Sequence, residues 1–314
     1  MTRGAPGAWD SAYHAPVLAN EILELFNEAR TILDCTLGGG GHSAALLANG
    51  AIVTAIDRDP QAIAASRARL DSYEASGRFR VILGNFAEAD RLLPHTSEKF
   101  DGILADLGVS SHQFDDASRG FSFREGAPLD MRMGELDVAT AAEFLNSSPE
   151  EDLARVFREY GDEPKARRLA KEVVRRRSNR DFRTSDDLVG AIRAVLGPRS
   201  NAGDFARIFQ ALRIAVNDEI DSLSRALPVL RDKLAERGIF AVISYHSGED
   251  RVVKHTMREW SQDCICPPRQ LTCTCRGRAL GKLITRKAIT AGEDEIARNP
   301  RARSARLRAW RREE

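Results

Sequence analysis

Short apolar runs alternate with segments of helical periodicity through the first third of the chain. Thr31-Ile32-Leu33 is a β-like run that leads, through a glycine-rich stretch, into an apolar helical segment from Ser43 to Ala48. Ala51-Ile52-Val53-Thr54-Ala55-Ile56 is apolar almost throughout, as a strand buried on both faces requires. It ends in Asp57-Arg58-Asp59-Pro60, where Pro60 suits the first turn of a helix. That helix carries Ile63, Ala64 and Leu70 on one face and Arg67 and Arg69 elsewhere. Phe79 to Leu83 is a third strand, ending at Gly84-Asn85-Phe86, and Phe100 to Ala105 a fourth, ending at Asp106. Such alternation predicts an α/β fold with a parallel, doubly wound sheet. Ligands of such sheets sit beyond the carboxyl ends of the strands.

The periodicity then becomes helical. Ser148-Pro149-Glu150-Glu151 has the form of a capping box, with Ser148 as N-cap and Pro149 in the first helical position. Leu153, Val156, Phe157 and Tyr160 follow on one face. Ala166, Leu169, Ala170, Val173 and Val174 repeat the pattern, with basic residues on the remaining surface. Thr184-Ser185-Asp186-Asp187 opens another helix, stopped by Gly197-Pro198. Phe205, Ile208, Phe209, Leu212 and Ala215 begin a helix expected to return to the sheet. Gly238 to Ser244 resumes the sheet as a fifth strand, leaving Tyr245 and His246 at its active edge, and Leu280 to Thr290 is expected to supply a final strand pair. The predicted organisation is a sheet domain over 1–111 and 207–314, with a helical, substrate-binding domain inserted over 112–206.

Candidate chemistry gathers at the strand ends. Asp34-Cys35-Thr36-Leu37-Gly38-Gly39-Gly40-Gly41-His42 joins an acidic strand end to a glycine hairpin and a helix start. Glycine lacks a Cβ, so such a backbone turns tightly and brings its N–H groups close to a ligand. Gly39-x-Gly41-x-x-Ala44 also fits the loose dinucleotide pattern, so the loop alone does not name its ligand. Gly40, Gly41, Asp57, Phe86 and Asp106 all fall at or just beyond strand ends, and that convergence argues for a site. Asp57 is placed to accept hydrogen bonds from two ribose hydroxyls, and Phe86 to lie against an adenine. Asp106, with Asp34 near the same place, suits a sulfonium or ammonium group. Two acids at the reacting end fit S-adenosylmethionine better than a pyrophosphate, which they would repel. Taken singly, each Asp also reads as a helix N-cap or a solvated strand end.

Composition narrows the class. The 314 residues suffice for one large domain or two, and 42% hydrophobic content is that of a globular protein. No apolar run approaches the roughly 20 residues of a membrane helix. Met1 to Ser11 lacks the apolar core of a signal peptide, so a cytoplasmic protein is expected. Formal net charge is only +1, but its distribution is uneven. Lys165 to Arg183 holds nine basic residues and two acids; Arg276 to Lys287 holds five and none; Arg298 to Arg312 holds seven arginines and no acid. Such clusters neutralise phosphates, although a single one reads as readily as a solvated helix face. Cys35 stands alone in the first strand, where it packs as a small apolar residue. Cys264-x-Cys266 and Cys273-x-Cys275 place four thiols within twelve residues, which suggests a structural Zn²⁺ or, failing that, reduced thiols.

The residues beyond Asp106 complete a wider pattern. His14-Ala15-Pro16-Val17-Leu18, the glycine loop, Ala55 to Asp59, Asp106-Leu107-Gly108-Val109-Ser110-Ser111 and Arg119 to Phe123 run in order along the chain. Leu129 to Met133, Phe209 to Ile214, Ser244-Tyr245-His246-Ser247 with Glu249-Asp250-Arg251, and Asn299 to Ser304 follow. In these blocks the chain closely resembles the MraW-type, or methyltransferase H, family of the ribosomal small subunit. The resemblance implies a Rossmann-like S-adenosylmethionine methyltransferase sheet with an inserted helical domain. It implies N4-methylation of a cytidine in the decoding region of 16S rRNA, within the small ribosomal subunit, and makes RNA the partner of the basic clusters. The implied cofactor contacts are Gly40, Gly41, His42, Asp57, Phe86, Asp106 and Gln113. Gly248 and His112 depart from the residues usual at their positions, but neither is a cofactor residue.

Amino-group methyltransferases often carry Asp/Asn/Ser-Pro-Pro-Tyr/Phe after the fourth strand, whereas this chain has Asp106-Leu107-Gly108-Val109. Two residues remain as acceptors for an amine proton, Asp106 and His246, the second of which also reads as a structural histidine at a strand end. Two other classes stay open on the residues alone. A nicotinamide-dependent oxidoreductase would share the loop and Asp57, and a non-catalytic RNA-binding assembly factor would share the basic faces.

Overall fold

The computed structural model describes residues 16–93, 99–134, 138–267, 270 and 272–313. Met1 to Ser11, and His14 and Ala15 of the first resembling block, lie outside the described residues. The strands are β1 (Thr31–Asp34), β2 (Ile52–Asp57), β3 (Phe79–Leu83), β4 (Phe100–Asp106), β5 (Leu234–Ser244), β6 (Gly281–Leu283) and β7 (Arg306–Arg312). They form one sheet in the order β3-β2-β1-β4-β5-β7-β6. The first five are mutually parallel, while β7 runs antiparallel to both β5 and β6. This is a Rossmann-like α/β sheet, as the alternation predicts.

Alternate residues of the strands feed two cores. On one face the helices Ala19–Leu25, Gly41–Ala48 and Pro60–Ala75 bury Ile22, Leu46, Leu47 and Leu70 with Ile32, Val53, Leu104 and Ile243. On the other, Glu219–Lys233 and Ser247–Trp260 bury Leu227, Leu230, Met257 and Trp260 with Leu33, Ile56, Ile103 and Phe240. Coverage of both faces is why the strands read as continuous apolar runs. Each fully buried Leu or Ile contributes on the order of 1.5–3 kcal/mol relative to an exposed one.

The carboxyl-terminal edge differs from the expectation. Leu280 to Thr290 does not fold back on itself as a strand pair. Gly281–Leu283 instead pairs with Arg306–Arg312, and Ile289 adds a single bridge to Leu307. The strand Arg306–Arg312 was hidden in the sequence because arginines alternate with its apolar residues. Leu307, Ala309 and Trp310 are fully buried, and Trp310 packs edge-on against Trp260 with ring centroids 5.1 Å apart.

By compactness the chain falls into two units, Met1–Gly108 with Ile220–Glu314, and Val109–Glu219. The second has its own core, in which Leu153, Phe157, Leu169, Val173, Leu188, Ile192, Ile208 and Leu212 are buried. Its helices include Glu150–Glu159, Ala166–Arg177, Ser185–Leu196 and Ala202–Val216. Thr184 opens the helix Ser185–Leu196 as expected, and Asp187, three residues on, accepts the Thr184 N–H at 3.0 Å. Ser148 instead closes the preceding helix, donating its N–H to the Phe144 carbonyl, and Pro149 takes the N-cap position. The helix of Phe205 and Ile208 joins this second core and not the sheet. A period of 3.6 residues shows that one helix face is buried, not which layer buries it.

Candidate functional site

The loop after β1 is clamped before it turns. Cys35 N–H donates to the Leu104 carbonyl at 2.8 Å and Leu37 N–H to the Ile56 carbonyl at 3.1 Å. Gly38 and Gly40 then take φ of 50° and 71°, in the left-handed region, and Gly40 N–H closes the turn on the Leu37 carbonyl at 2.8 Å. A Cβ on Gly40 would lie 3.0 Å from Ser66 Oγ, and one on Gly41 would lie 3.0 Å from Pro16 Cδ. Gly40→Ala is therefore expected to destabilise the protein by about 1–2 kcal/mol from the left-handed backbone alone. Urea unfolding measures this, and an unchanged midpoint would show that the loop relaxes freely.

Two strand-end carboxylates support the loop. Asp57 accepts the Gly38 N–H at 2.7 Å and the Asp59 N–H at 2.9 Å, one on each oxygen, so it ties the glycine turn to the end of β2. Desolvation pushes its carboxyl up to about 6. Asp34 is 1% exposed, and its two oxygens accept Ser43 Oγ–H at 2.7 Å and Thr36 N–H at 3.1 Å. Burial raises its pKa as well. Asp34 thus braces the start of the helix Gly41–Ala48 from within.

Asp106 is the centre of a polar group assembled from three elements. At the end of β4, its Oδ1 accepts the Tyr245 phenol O–H at 2.8 Å and its Oδ2 lies 3.4 Å from His42 Nε2. Its own N–H donates to Thr36 Oγ1 at 2.7 Å. His42, in the first turn of its helix, is 5% exposed, and neither ring nitrogen has a hydrogen-bond partner among the described residues. A buried imidazole left so is a polar site for a ligand to complete. Burial first, and then the Asp106 charge, hold the Tyr245 phenol well above its ordinary pKa, so it stays a donor. Sequence reasoning put Tyr245 at the sheet edge but gave it no role. The signal was the adjacency of β4 and β5, which only the sheet order supplies.

The other candidates are placed differently. His246 caps the helix Ser247–Trp260: its Nδ1 accepts the Glu249 N–H at 3.4 Å. In return the Glu249 carboxylate accepts N–H groups from Tyr245 at 2.9 Å and His246 at 3.4 Å. Phe86 opens a short 3-10 turn, Phe86–Glu88, just beyond β3 and packs half-buried against the core. Gln113 belongs to the second unit, where it is buried, accepts the Ser110 N–H at 3.0 Å and donates to the Met133 carbonyl at 3.2 Å. Cys35 packs in the sheet core at 1% exposure, and the four remaining sulfurs, of Cys264, Cys266, Cys273 and Cys275, lie within 4.8 Å of one another.

The basic clusters divide into structural and exposed residues. Arg175 and Arg176 each bond Glu172 at 2.8 Å, and the Arg175 bond above all takes that carboxyl down to about 2. Arg177 donates to the carbonyls of Leu145 and Ser148. Arg167, Arg168, Lys171 and Arg180 are exposed. In the last cluster Arg308 is buried on Asp250, whereas Arg301, Arg303 and Arg311 are exposed. Charge counting along the sequence therefore overstates the surface available to phosphates.

Residues 11–313 match the family model of the MraW methylase family. The chain belongs to the MraW methylase family. Among MraW relatives, the Ribosomal RNA small subunit methyltransferase H of Gemmatimonas aurantiaca is 62% identical over 98% of this chain and 98% of its own length. Proteins of the same name from an Anaeromyxobacter species and from Heliobacterium mobile are 48% and 44% identical, each over 94% of this chain and 96% and 97% of their own lengths. Membership in a methylase family decides against a nicotinamide-dependent oxidoreductase. Among the described residues, no helix is long and apolar enough to cross a membrane.

Proposed function

We propose that this chain transfers a methyl group from S-adenosylmethionine to N4 of one cytidine in the decoding region of 16S rRNA, acting in the cytoplasm on the small ribosomal subunit. The observation that carries this reading is the group of Asp106, His42 and Tyr245 beside a glycine turn, in a chain whose whole length follows relatives named for that subunit's RNA. The residues fit the cofactor: the glycine turn takes left-handed backbone that only glycine adopts freely, the His42 nitrogens have no hydrogen-bond partner among the described residues, and each Asp57 oxygen keeps a lone pair for a ribose hydroxyl. Gly40, Gly41, His42, Asp57, Phe86 and Asp106 would hold it; Gln113 is assigned by the family resemblance alone. When bound, S-adenosylmethionine supplies an electrophilic methyl on a sulfonium.

The exocyclic amine of cytosine is a weak nucleophile because its lone pair delocalises into the ring. Asp106 is the first candidate to accept from that amine, which restores lone-pair density and fixes N4 in line with the methyl. Tyr245 holds the Asp106 carboxylate in one orientation. His246 is the second candidate, although its capping bonds fix it at the helix start. A stacked or paired base must be extruded to reach either.

The test is transfer from labelled S-adenosylmethionine to unmodified 16S rRNA, naked and in small subunits, with the product nucleotide mapped. One N4-methylcytidine in the decoding region is the expected product. RNA binding without transfer in either form would point to a non-catalytic assembly factor.

Cofactor binding is also expected to depend on pH. A ribose contact needs the Asp57 carboxylate ionised, and its pKa in the folded protein is about 6. Affinity should therefore weaken by up to about tenfold per unit as pH falls below 6. For the fold alone the sign is opposite. From the ordinary carboxylate value near 4 up to about 6, the folded chain keeps a proton that the unfolded chain has lost, so Asp57 withdraws stability as pH rises through that window. Calorimetric titration from pH 5 to 8 checks the first effect, and a flat affinity would remove Asp57 from the ribose site.

A further inference from the structure

Twenty residues, 261–280, connect the helix Ser247–Trp260 to β6, and the described ones form no helix or strand. So long an irregular connection is uncommon unless something other than secondary structure orders it. Apolar burial does not: Ile265 is 41% exposed, and Cys264 and Cys273 are exposed too. The ends are secured. Leu280 N–H donates to the Trp260 carbonyl at 2.7 Å, Ala279 N–H to Asp263 at 3.1 Å, and the Arg276 guanidinium to the Gln262 carbonyl at 3.2 Å. Between them, among the described residues, the two Cys-x-Cys turns approach each other, and Gln270 donates its N–H to the Pro267 carbonyl at 3.0 Å and its side-chain amide to the Thr272 carbonyl at 2.9 Å and Thr274 Oγ1 at 2.7 Å.

We propose that Cys264, Cys266, Cys273 and Cys275 bind one structural zinc ion that fixes this connection. The sulfur geometry carries the argument. Four of the sulfur–sulfur separations are 3.5, 3.8, 3.9 and 4.0 Å, and all six pairs lie within 4.8 Å. Zinc–thiolate bonds of about 2.3 Å in a regular tetrahedron require sulfur–sulfur edges of about 3.8 Å. A disulfide would bring two sulfurs to about 2.05 Å, and all five cysteines are free. The four sulfurs therefore already stand at the corners a tetrahedral ion needs.

The backbone supports the same assignment. Ile265 N–H, inside the first turn, donates to Cys275 Sγ of the second at 3.4 Å. Thr274 N–H, inside the second, donates to Cys266 Sγ of the first at 3.4 Å. Each turn thus aims a donor at a sulfur of the other, which stabilises sulfur in its anionic, metal-binding form. An all-thiolate tetrahedral set selects zinc or iron over magnesium and calcium, and four protein ligands leave no open position for catalysis. The role is structural, and the proposal is independent of the methyl-transfer reading.

The test uses the full-length chain purified reduced, without chelators, and analysed for metals. About one zinc per chain is expected, released in step with thiol modification. Reconstitution with Co²⁺ alone should give the intense visible bands of a tetrahedral thiolate site. The Cys266→Ser/Cys275→Ser double variant should lose the zinc. Cys275→His, which keeps a ligand, should retain metal and shift the cobalt bands, so a folding failure of the double variant would not mask the answer. Zinc below a tenth of an equivalent after growth with added zinc, iron in its place, or two disulfides in the purified protein would each overturn the proposal.

Discussion

Asp106→Asn is expected to lower the rate of methyl transfer by about 10²- to 10³-fold, the range seen when one preorganised electrostatic contact to a transition state is removed. The amide oxygen can still accept the Tyr245 O–H, now at 2.8 Å from Oδ1, so the local packing has no reason to change. What is lost is the negative charge and the second acceptor, on the side that faces His42 at 3.4 Å. Because the contact to the amine strengthens as its nitrogen gains positive character, the loss should fall on kcat more than on KM. Single-turnover transfer to small subunits separates the two. Tyr245→Phe supplies the comparison: the carboxylate stays but loses one orienting bond, and roughly a tenfold loss is expected. If Asp106→Asn transfers methyl within threefold of the unaltered protein, the acceptor lies elsewhere, and His246 becomes the residue to substitute.

Asp250→Ala is expected to cost about 3–5 kcal/mol of stability, the usual consequence of stranding a buried charge. Arg308 and Asp250 are about nine-tenths buried and joined by two bonds, of 2.6 and 3.2 Å, and Arg306 adds a third at 3.3 Å. Burial works to raise the Asp250 pKa, but the hydrogen bonds and charges of Arg308 and Arg306 outweigh it and hold the carboxyl below its ordinary value. The stabilisation is therefore present above the ordinary carboxylate range near 4 and is lost as pH falls through the lower folded value. Urea unfolding at pH 7 measures the loss. Asp250→Leu combined with Arg308→Met should recover most of it, because no charge is then left without a partner. A loss under about 1 kcal/mol for Asp250→Ala would mean that water screens the pair.

Much of the sheet was legible because parallel strands covered on both faces must be apolar along their whole length. Val53, Ala55 and Ile56 announce a strand, and Asp57 and Asp106 mark where strands stop. The glycine turn was legible for a related reason, since Gly38 and Gly40 occupy backbone conformations that side chains resist. β7 was not, because its buried Arg308 belongs to an ion pair whose partner, Asp250, lies 58 residues earlier. No local pattern separates a paired arginine from a solvated one. Tyr245 and His246 show the same limit at the site. They are adjacent in sequence, yet one reaches Asp106 across the sheet while the other caps a helix, a difference set by strand order and backbone geometry.

The division of the chain also sets a timetable for its synthesis. β4 pairs on one side with β1 and on the other with β5, but 127 residues, 107 to 233, must be made between them. At about 5–20 residues per second that interval lasts roughly 6–25 s. Through it the edge of β4, built from Ile103, Leu104 and Ala105, has no neighbour, whereas the contiguous unit Val109–Glu219 is complete enough to collapse on itself. The nascent protein thus carries an open, apolar sheet edge for seconds, and slowing translation between β4 and β5 should increase its capture by chaperones or its aggregation.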